Sequence, residues 1–471
     1  MAIDNPAPVR SPLSFADEAG PVYFTADRVL RAVPADAEAR MRALVESGLP
    51  EVLAGKGLMP STRVSAVRLP DSDYVIEHPR LPFVTYPYEW SYGMLRAAAA
   101  CVLEVNAVAN AFGYELADCH GYNVVFDGPH PRYVDLGSLA PLPAGARDWA
   151  ALETFVRSYE YPLKIWSDGG EFMARRLVAA SELMSHADYG LYRWPWLRGG
   201  AAGYYQKWRH YWFRYRQIAR VPPERVQGRL PPMLRGLAER TIKSGILPGQ
   251  KMNLERLRRR VLDRPRSGPE GSWSRYQGDA ASFVDTPRFK RVAEIVAAAG
   301  LDSVLEVAGN QGYFCDLLLS SGAVREAICT DYEEAAVDRA HARSLRLGNG
   351  LRTAVLDFVH PMVSPFGEPP HERLRCDGVV ALAVTHHLLL SQRVPVERVF
   401  KCIAAYARNF VAVEFMPLGL WDGTKAPPLP SWYNVEWFRA AFAREFEITH
   451  DEPLEVNRHL FCGRIGGGPA R

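Results

Sequence analysis

The sequence predicts an α/β protein in two parts. Residues 279–471 read as a doubly wound parallel sheet with a terminal antiparallel strand, and residues 1–147 as an α+β region followed by a helical extension over 148–250. Three observations carry this. Beyond residue 279 apolar strands and amphipathic helices alternate, the pattern of a parallel sheet covered on both faces. Before residue 148 short apolar strands flank one long helical run. Between them, residues 251–278 include "RLRRRVLDRPRSGPEGSWSRYQG", where charge, proline and glycine cluster as in a connector. A length of 471 residues also exceeds one ordinary core.

The elements follow in chain order. In residues 21–142, "SYGMLRAAAACVLEVNAVANAFG" is the helical run, with Gly113 as its stop. "GYYQKWRHYWFRYRQIARVPP" belongs to the extension; its aromatic–arginine stripe suits core packing with arginines over ring faces better than nucleic-acid stacking. The arginines of the connector read as a solvated helix end. The C-terminal series runs helix "RFKRVAEIVAAAG", strand "SVLEVAG", helix "YFCDLLLSSG", strand "EAICTDY", helix "EEAAVDRAHARSLRLG" and strand "LRTAVLDF". It continues with strand "CDGVVALAV", helix "PVERVFKCIAAYA", strand "NFVAVEF", helix "NVEWFRAAFAREF" and a closing hairpin.

Composition narrows the function classes. Hydrophobic residues make up 48% and charged residues 23%, and the net charge of +3 gives no argument for a membrane partner and argues against a nucleic-acid acceptor, so neither partner is expected. The seven cysteines form no CxxC pair, so no zinc site or other metal and no disulfide framework is expected. No apolar run approaches the length of a membrane span and no leader-like segment opens the chain, which gives a cytoplasmic expectation.

In doubly wound sheets the ligand sits at the carboxyl ends of the strands. Here those ends carry Glu306 with the turn Ala308, Gly309, Asn310 and Gly312, then Asp331 with Tyr332, Asp357 with Phe358, Leu382 leading to His386 and His387, and Glu414. Tyr313 and Phe314 open the helix after the turn. An acid about 20 residues beyond a glycine turn suits ribose hydroxyls, whether of NAD or of S-adenosylmethionine (SAM). Glu306 separates the two, because a carboxylate in the turn repels a pyrophosphate and attracts an amino group. Ala308 stands where a turn usually has glycine, so Gly309 and Gly312 are expected to supply the permissive conformations, with the loop opening at Gly309. Asp357 suits an adenine amino group with Phe358 beside the ring. One of His386 and His387 is expected to act as general base, with a slight preference for His386, and Glu414 to orient it or join a polar network.

The order "VLEVAGNQGYF…TDYEEAAVDR…LDF…CDGVVALAVTHHLLL…VAVEFMP" resembles the class I SAM-dependent methyltransferases, over roughly residues 270–465. Within them it is most similar to bacterial chains in which a Rossmann-like methyltransferase domain follows a long N-terminal region and the loop reads LGANTGYF. The resemblance implies SAM as cofactor and a small-molecule or sugar-like acceptor in specialised metabolism or nodulation-type glycolipid modification. "LPFVTYPYEWSYGML" also resembles a segment shared by those chains; a core role is expected for its aromatics.

A second constellation lies in "LADCHGYNVVFDGPHPRYVDLGS". Asp118 and Asn123 have the D-x-x-x-x-N spacing of a kinase catalytic loop, and Asp135-Leu136-Gly137 stands where a metal-binding DFG would be. The stretch resembles a fragment of a kinase large lobe. No GxGxxG precedes it, and Lys56 is the only lysine before it and lacks a strand context, which favours a non-catalytic scaffold. Three functions are carried forward. The first is a methyltransferase whose N-terminal region shapes the acceptor site or docks a partner. The others are a kinase-like phosphotransferase using Asp118, Asn123 and Asp135, and a non-catalytic SAM-binding regulator.

Overall fold

The computed structural model describes residues 7–219, 253–266 and 286–466, apart from residues 13, 15–18, 71, 145, 147, 181, 195–199, 365–366 and 422. Part of the expected connector and the end of the helical extension thus lie outside the described residues. The chain divides into two compact units: Met1–Leu81, Leu95–Val125 and Pro131–Gly268 form the first, and Pro82–Met94, Phe126–His130 and Pro269–Arg471 the second.

In the first unit, β1 (Val9–Arg10), β2 (Val22–Phe24), β3 (Arg28–Val33), β4 (Arg63–Val64) and β5 (Tyr74–Pro79) form an antiparallel sheet in the order β1-β2-β3-β5-β4. Tyr23, Leu30, Ala32, Leu69 and Val75 make its core. The expectation of one helical run before residue 142 is corrected: helices Ala35–Glu46 and Leu49–Gly55 connect β3 to β4. Ala37, Met41 and Leu44, at helical spacing, bury the inner stripe of the first. The helix Tyr92–Ala111, which belongs to this unit from Leu95 onward, is long and apolar enough to cross a membrane, with a mean hydropathy of 1.2, and 67% of that stretch is buried. That corrects the expectation that no apolar run approaches span length. Gly113 ends this helix at a φ of 78°.

After it come β6 (Tyr114–Leu116) paired with β9 (Leu139–Pro141), and the hairpin of β7 (Val124–Asp127) and β8 (His130–Tyr133). Helices follow at Tyr161–Ser167, Glu171–Ala179, His186–Arg193 and Gly200–Ala219. The Arg209 guanidinium lies 5.1 Å from the Trp212 ring and 4.9 Å from Phe213, the packing role expected for this stripe. The arginines expected on a solvated helix end lie on a helix, about half exposed and in ion pairs. Helix Leu254–Leu262 sets Arg258 against Glu104 (3.3 Å) and Arg260 against Glu160 (2.9 Å).

The second unit holds the seven-stranded sheet. Its strands are β10 (Ser303–Val307), β11 (Glu326–Asp331), β12 (Arg352–Val355), β13 (Cys376–Ala381), β14 (Ala407–Phe415), β15 (Phe446–Glu455) and β16 (Arg458–Ile465). Their order is β12-β11-β10-β13-β14-β16-β15. The first five run parallel, while β16 lies antiparallel between β14 and β15. Every residue of β10 is buried, as a central parallel strand requires. Alternation along the strands feeds two cores, one containing Leu305, Val379 and Val411 with Phe400 and Phe438, the other Val304, Val380 and Ala412 with Phe289 and Phe314. Helix Pro287–Ala298 starts with Thr286 accepting from the Phe289 N–H and proline at the first turn.

The unit also incorporates residues from the N-terminal half. Pro82–Met94 carries the buried Tyr88 and Trp90, as the core reading anticipated. The buried Glu89 caps the Tyr86 N–H at 2.8 Å and pairs with Arg373 at 3.0 Å. Asp338 accepts from the Ser91 hydroxyl and the Gly93 N–H, each at 2.6 Å, and Glu334 accepts from the Tyr92 N–H at 2.7 Å.

Candidate functional site

The strand order reverses at β10, which pairs β11 on one side and β13 on the other, so the crevice of this sheet lies beyond their carboxyl ends. The turn after β10 is shaped by Glu306. Its side chain is fully buried, and the Cys315 thiol donates to its Oε2 at 3.2 Å. A β-carbon on Gly309 would come 2.7 Å from the Glu306 carboxyl carbon, so glycine there leaves room for the carboxyl group. The positive φ angles fall elsewhere: Ala308 at 55°, Asn310 at 51° and Gly312 at 73°. This corrects the expectation for Gly309, whose role is close approach, and agrees with that for Gly312, while Ala308 itself takes the left-handed conformation. A hydrogen bond of 2.9 Å from the Gly309 N–H to the Thr330 carbonyl fixes the turn to β11.

Asp331 closes the other side. Its carboxylate accepts from the Asn310 N–H at 2.9 Å and the Glu333 N–H at 2.8 Å, bracing the turn after β10 while leaving further acceptor capacity. Burial pushes Glu306 up to about 8, the Cys315 hydrogen bond opposing it, and pushes Asp331 up to about 6. Glu306 is therefore a carboxylic acid near neutrality, poised to ionise when a cation arrives. Tyr332 is exposed.

Tyr313 is buried beneath the Arg343 guanidinium, 4.0 Å from its ring, and Phe314 packs edge-on against Phe289 at 5.3 Å. Both thus serve packing. Asp357, exposed, turns its carboxylate onto the Val359 and His360 N–H groups at 3.0 and 2.9 Å, with Phe358 buried in the core. Leu382 is buried at the end of β13.

Glu414 is the hub of a buried ion-pair cluster. Arg288 binds it through two nitrogens, one at 2.9 Å, and Arg458 approaches at 3.0 Å. It also accepts the Ala383 N–H at 2.9 Å, and its carbonyl accepts the Thr385 hydroxyl at 2.7 Å. Glu414 thereby fixes the backbone that leads into His386, with Ala383 at a φ of 52°. His386 is 6% exposed, and its Nδ1 has no hydrogen-bond partner among the described residues. Burial, with His387 and Arg458 nearby, lowers it to about 3, in place of the near-neutral titration expected of a base. Burial also lowers His387, which is less enclosed. Sequence reasoning missed Arg288 and Arg458; the only signal was that Glu414, at a strand end, needed a cation.

In the first unit Asp118 and Asn123 do come together, with Asn123 Nδ2 donating to Asp118 Oδ2 at 3.2 Å. Asp135 accepts from the Gly137 N–H at 3.1 Å and the Ser138 hydroxyl, and pairs with Arg31 of β3 at 3.5 Å. Lys56 ends the helix Leu49–Gly55, outside any strand. Arg31, unremarked in the sequence, is a strand-borne cation that pairs with Asp135. Among the described residues no group of three or more His, Cys, Asp or Glu side chains is arranged to hold a metal ion.

No protein-family model matches the chain. The nodulation protein NoeA of Rhizobium meliloti (strain 1021) is 28% identical to it, over 97% of this chain and 95% of its own. Among solved structures, an S-adenosylmethionine-dependent methyltransferase from Clostridium acetobutylicum is similar over 41% of this chain and 96% of its own, with 11% identity and a TM-score of 0.31. The N-methyltransferase NodS from Bradyrhizobium japonicum is similar over 38% of this chain and 98% of its own, with 13% identity and a TM-score of 0.29. The Rossmann-like class of the second unit rests on its own strand order.

Proposed function

We propose that the second unit binds SAM and transfers its methyl group to a small-molecule acceptor. The observation that carries this reading is the buried Glu306 carboxyl packed inside the turn after β10, beside Asp331. A neutral acid in that place is unsuited to gripping a pyrophosphate and suited to ionising against an α-amino group. Asp331 receives the ribose hydroxyls and the stretch around Asp357 flanks the adenine. The turn residues Ala308 to Gly312 and Leu382 complete the cofactor cradle.

When bound, SAM supplies an already activated methyl group, so positioning accounts for most of the rate. The Glu414 cluster holds the loop Ala383–Thr385 and so sets the place of the histidine pair. His386, lowered to about 3, is a weak base and a ready hydrogen-bond partner through its unpaired Nδ1. His387 is the better candidate to take a proton from the acceptor.

The kinase-like stretch is read as a non-catalytic scaffold. Arg31 already neutralises Asp135, the carboxylate that would have to hold a metal. Support for a contribution of the N-terminal half to the methyltransferase comes from Pro82–Met94, which is part of the second unit. The similarity to a nodulation protein over nearly the whole chain is compatible with an acceptor from that chemistry. Titration of the full chain with SAM and with S-adenosylhomocysteine in a calorimeter, followed by an assay for SAM consumption with candidate acceptors, tests the reading. Binding of both with turnover is expected. Binding without turnover across a broad acceptor panel favours the regulator, and no binding overturns the proposal.

A further inference from the structure

The second unit contains a cavity of about 620 Å³ that the cofactor site does not use. One wall is the helical turn His387–Ser391 with the segment after it, contributing Leu389, Leu390 and Val394; the other is the loop beyond β14, contributing Leu429 and Trp432, with Trp437 from the helix Val435–Phe442 that follows. Both walls follow the carboxyl ends of β13 and β14, and the first begins at His387, so the cavity lies on the carboxyl-end side of the sheet. The walls are knit together at Gly419, whose φ is 59° and where a β-carbon would meet Leu429 at 2.6 Å and Leu390 at 2.8 Å.

The lining decides the ligand chemistry. Leucine, valine, proline and tryptophan supply it; among the described residues Arg393 and Glu397 are its only charged members and no Asn, Gln, Asp, Ser, Thr or Tyr lines it. A sugar ring needs several such side chains to satisfy its hydroxyls, because unpaired buried polar groups are expensive. An alkyl chain needs none. Trp432, 45% exposed, packs 4.7 Å from Trp437 and leaves apolar ring surface open to the cavity. Glu397 is engaged by Arg444 at 3.3 Å, whereas Arg393, exposed and held at a φ of 56°, stands at the rim. Non-glycine residues in that conformation concentrate at functional sites. The volume falls in the range of small-molecule sites.

We propose that this cavity holds the alkyl or acyl chain of an amphipathic acceptor, with its polar head toward Arg393 and the histidine pair. The assignment rests on the methyltransferase reading for its biological meaning, but the binding itself does not. The test titrates the full chain with hexyl, octyl and decyl maltoside below their micelle concentrations, with maltose as the headgroup control, following tryptophan fluorescence and calorimetry. One saturable site is expected, tightening about fourfold for each added methylene until the cavity is full, with no response to maltose. Trp432→Ala, at a half-exposed position, is expected to weaken the decyl compound at least tenfold while leaving the circular dichroism spectrum and SAM affinity unchanged. Absence of saturable binding, affinity independent of chain length, or equal binding by Trp432→Ala would each overturn the inference. Alkyl binding without SAM binding would retain the cavity and sink the methyltransferase reading; SAM binding without alkyl binding would do the reverse.

Discussion

Glu306→Gln isolates the electrostatics of the turn. In the folded protein burial holds this carboxyl near 8 against an ordinary 4.5, and Gly309 and Cys315 enclose it. Between those two pH values the folded chain keeps a proton that the unfolded chain has released, so stability falls as pH rises through that window. At 1.36 kcal/mol per unit, the loss by pH 7.5 is about 4 kcal/mol. The neutral isostere does not titrate and escapes that loss. For a unit of this size, 1 kcal/mol moves Tm by about 2–4 °C. Ligand-free Glu306→Gln is therefore expected to melt about 10 °C above wild type at pH 7.5 and within about 2 °C of it at pH 5. Scanning calorimetry of the full chain, following the transition assigned to the second unit, reads this directly. A difference that does not change with pH, or a variant less stable at pH 7.5, would mean that Glu306 is ionised in the fold and that the burial argument is wrong.

Three further substitutions probe the surroundings. Ala308→Gly relieves a left-handed alanine at a φ of 55° and should raise stability by up to about 1 kcal/mol, measured by denaturant unfolding; a loss beyond about 1 kcal/mol would contradict the turn geometry. Glu89→Ala leaves Arg373 buried without its partner and should destabilise the second unit by about 3–5 kcal/mol, whereas Glu89→Leu with Arg373→Met should recover most of it. An unchanged Tm for the single variant would show that Pro82–Met94 does not belong to that unit. Glu414→Gln should lower Tm by several degrees and slow turnover through the displaced loop, with a pH–rate profile of unaltered shape; a shifted profile would assign Glu414 a direct part in proton transfer.

How much of this was legible in the sequence depends on the distance over which each feature is encoded. The alternation of strand and helix beyond residue 286 is written in local periodicity, and strand ends can be read from it, which is why Glu306, Asp331 and Glu414 fall at the ends of their strands, with His386 five residues beyond the end of β13. The need for glycine at 309 is set by a side chain three residues away, since the Glu306 carboxyl leaves no room there for a β-carbon, whereas the positive φ falls at Ala308, Asn310 and Gly312, two of them residues whose type does not announce it. Long-range partners left no local trace. Arg288 reaches Glu414 across 126 residues, Arg31 reaches Asp135 across 104, and Arg373 reaches Glu89 across 284. Nor could composition reveal that Pro82–Met94 completes the second unit, since its Ser91 and Gly93 contacts are made to Asp338.

The most direct measurement of the central claim is the proton balance of SAM binding, from calorimetry at pH 6.5 in buffers of different ionisation enthalpy. If the cofactor's amino group ionises Glu306, close to one proton is released per SAM bound by wild type and close to none by Glu306→Gln, which binds more weakly. SAM that fails to bind, or that binds with the same proton balance in both proteins, would contradict the assignment of Glu306 as the cofactor's anchor.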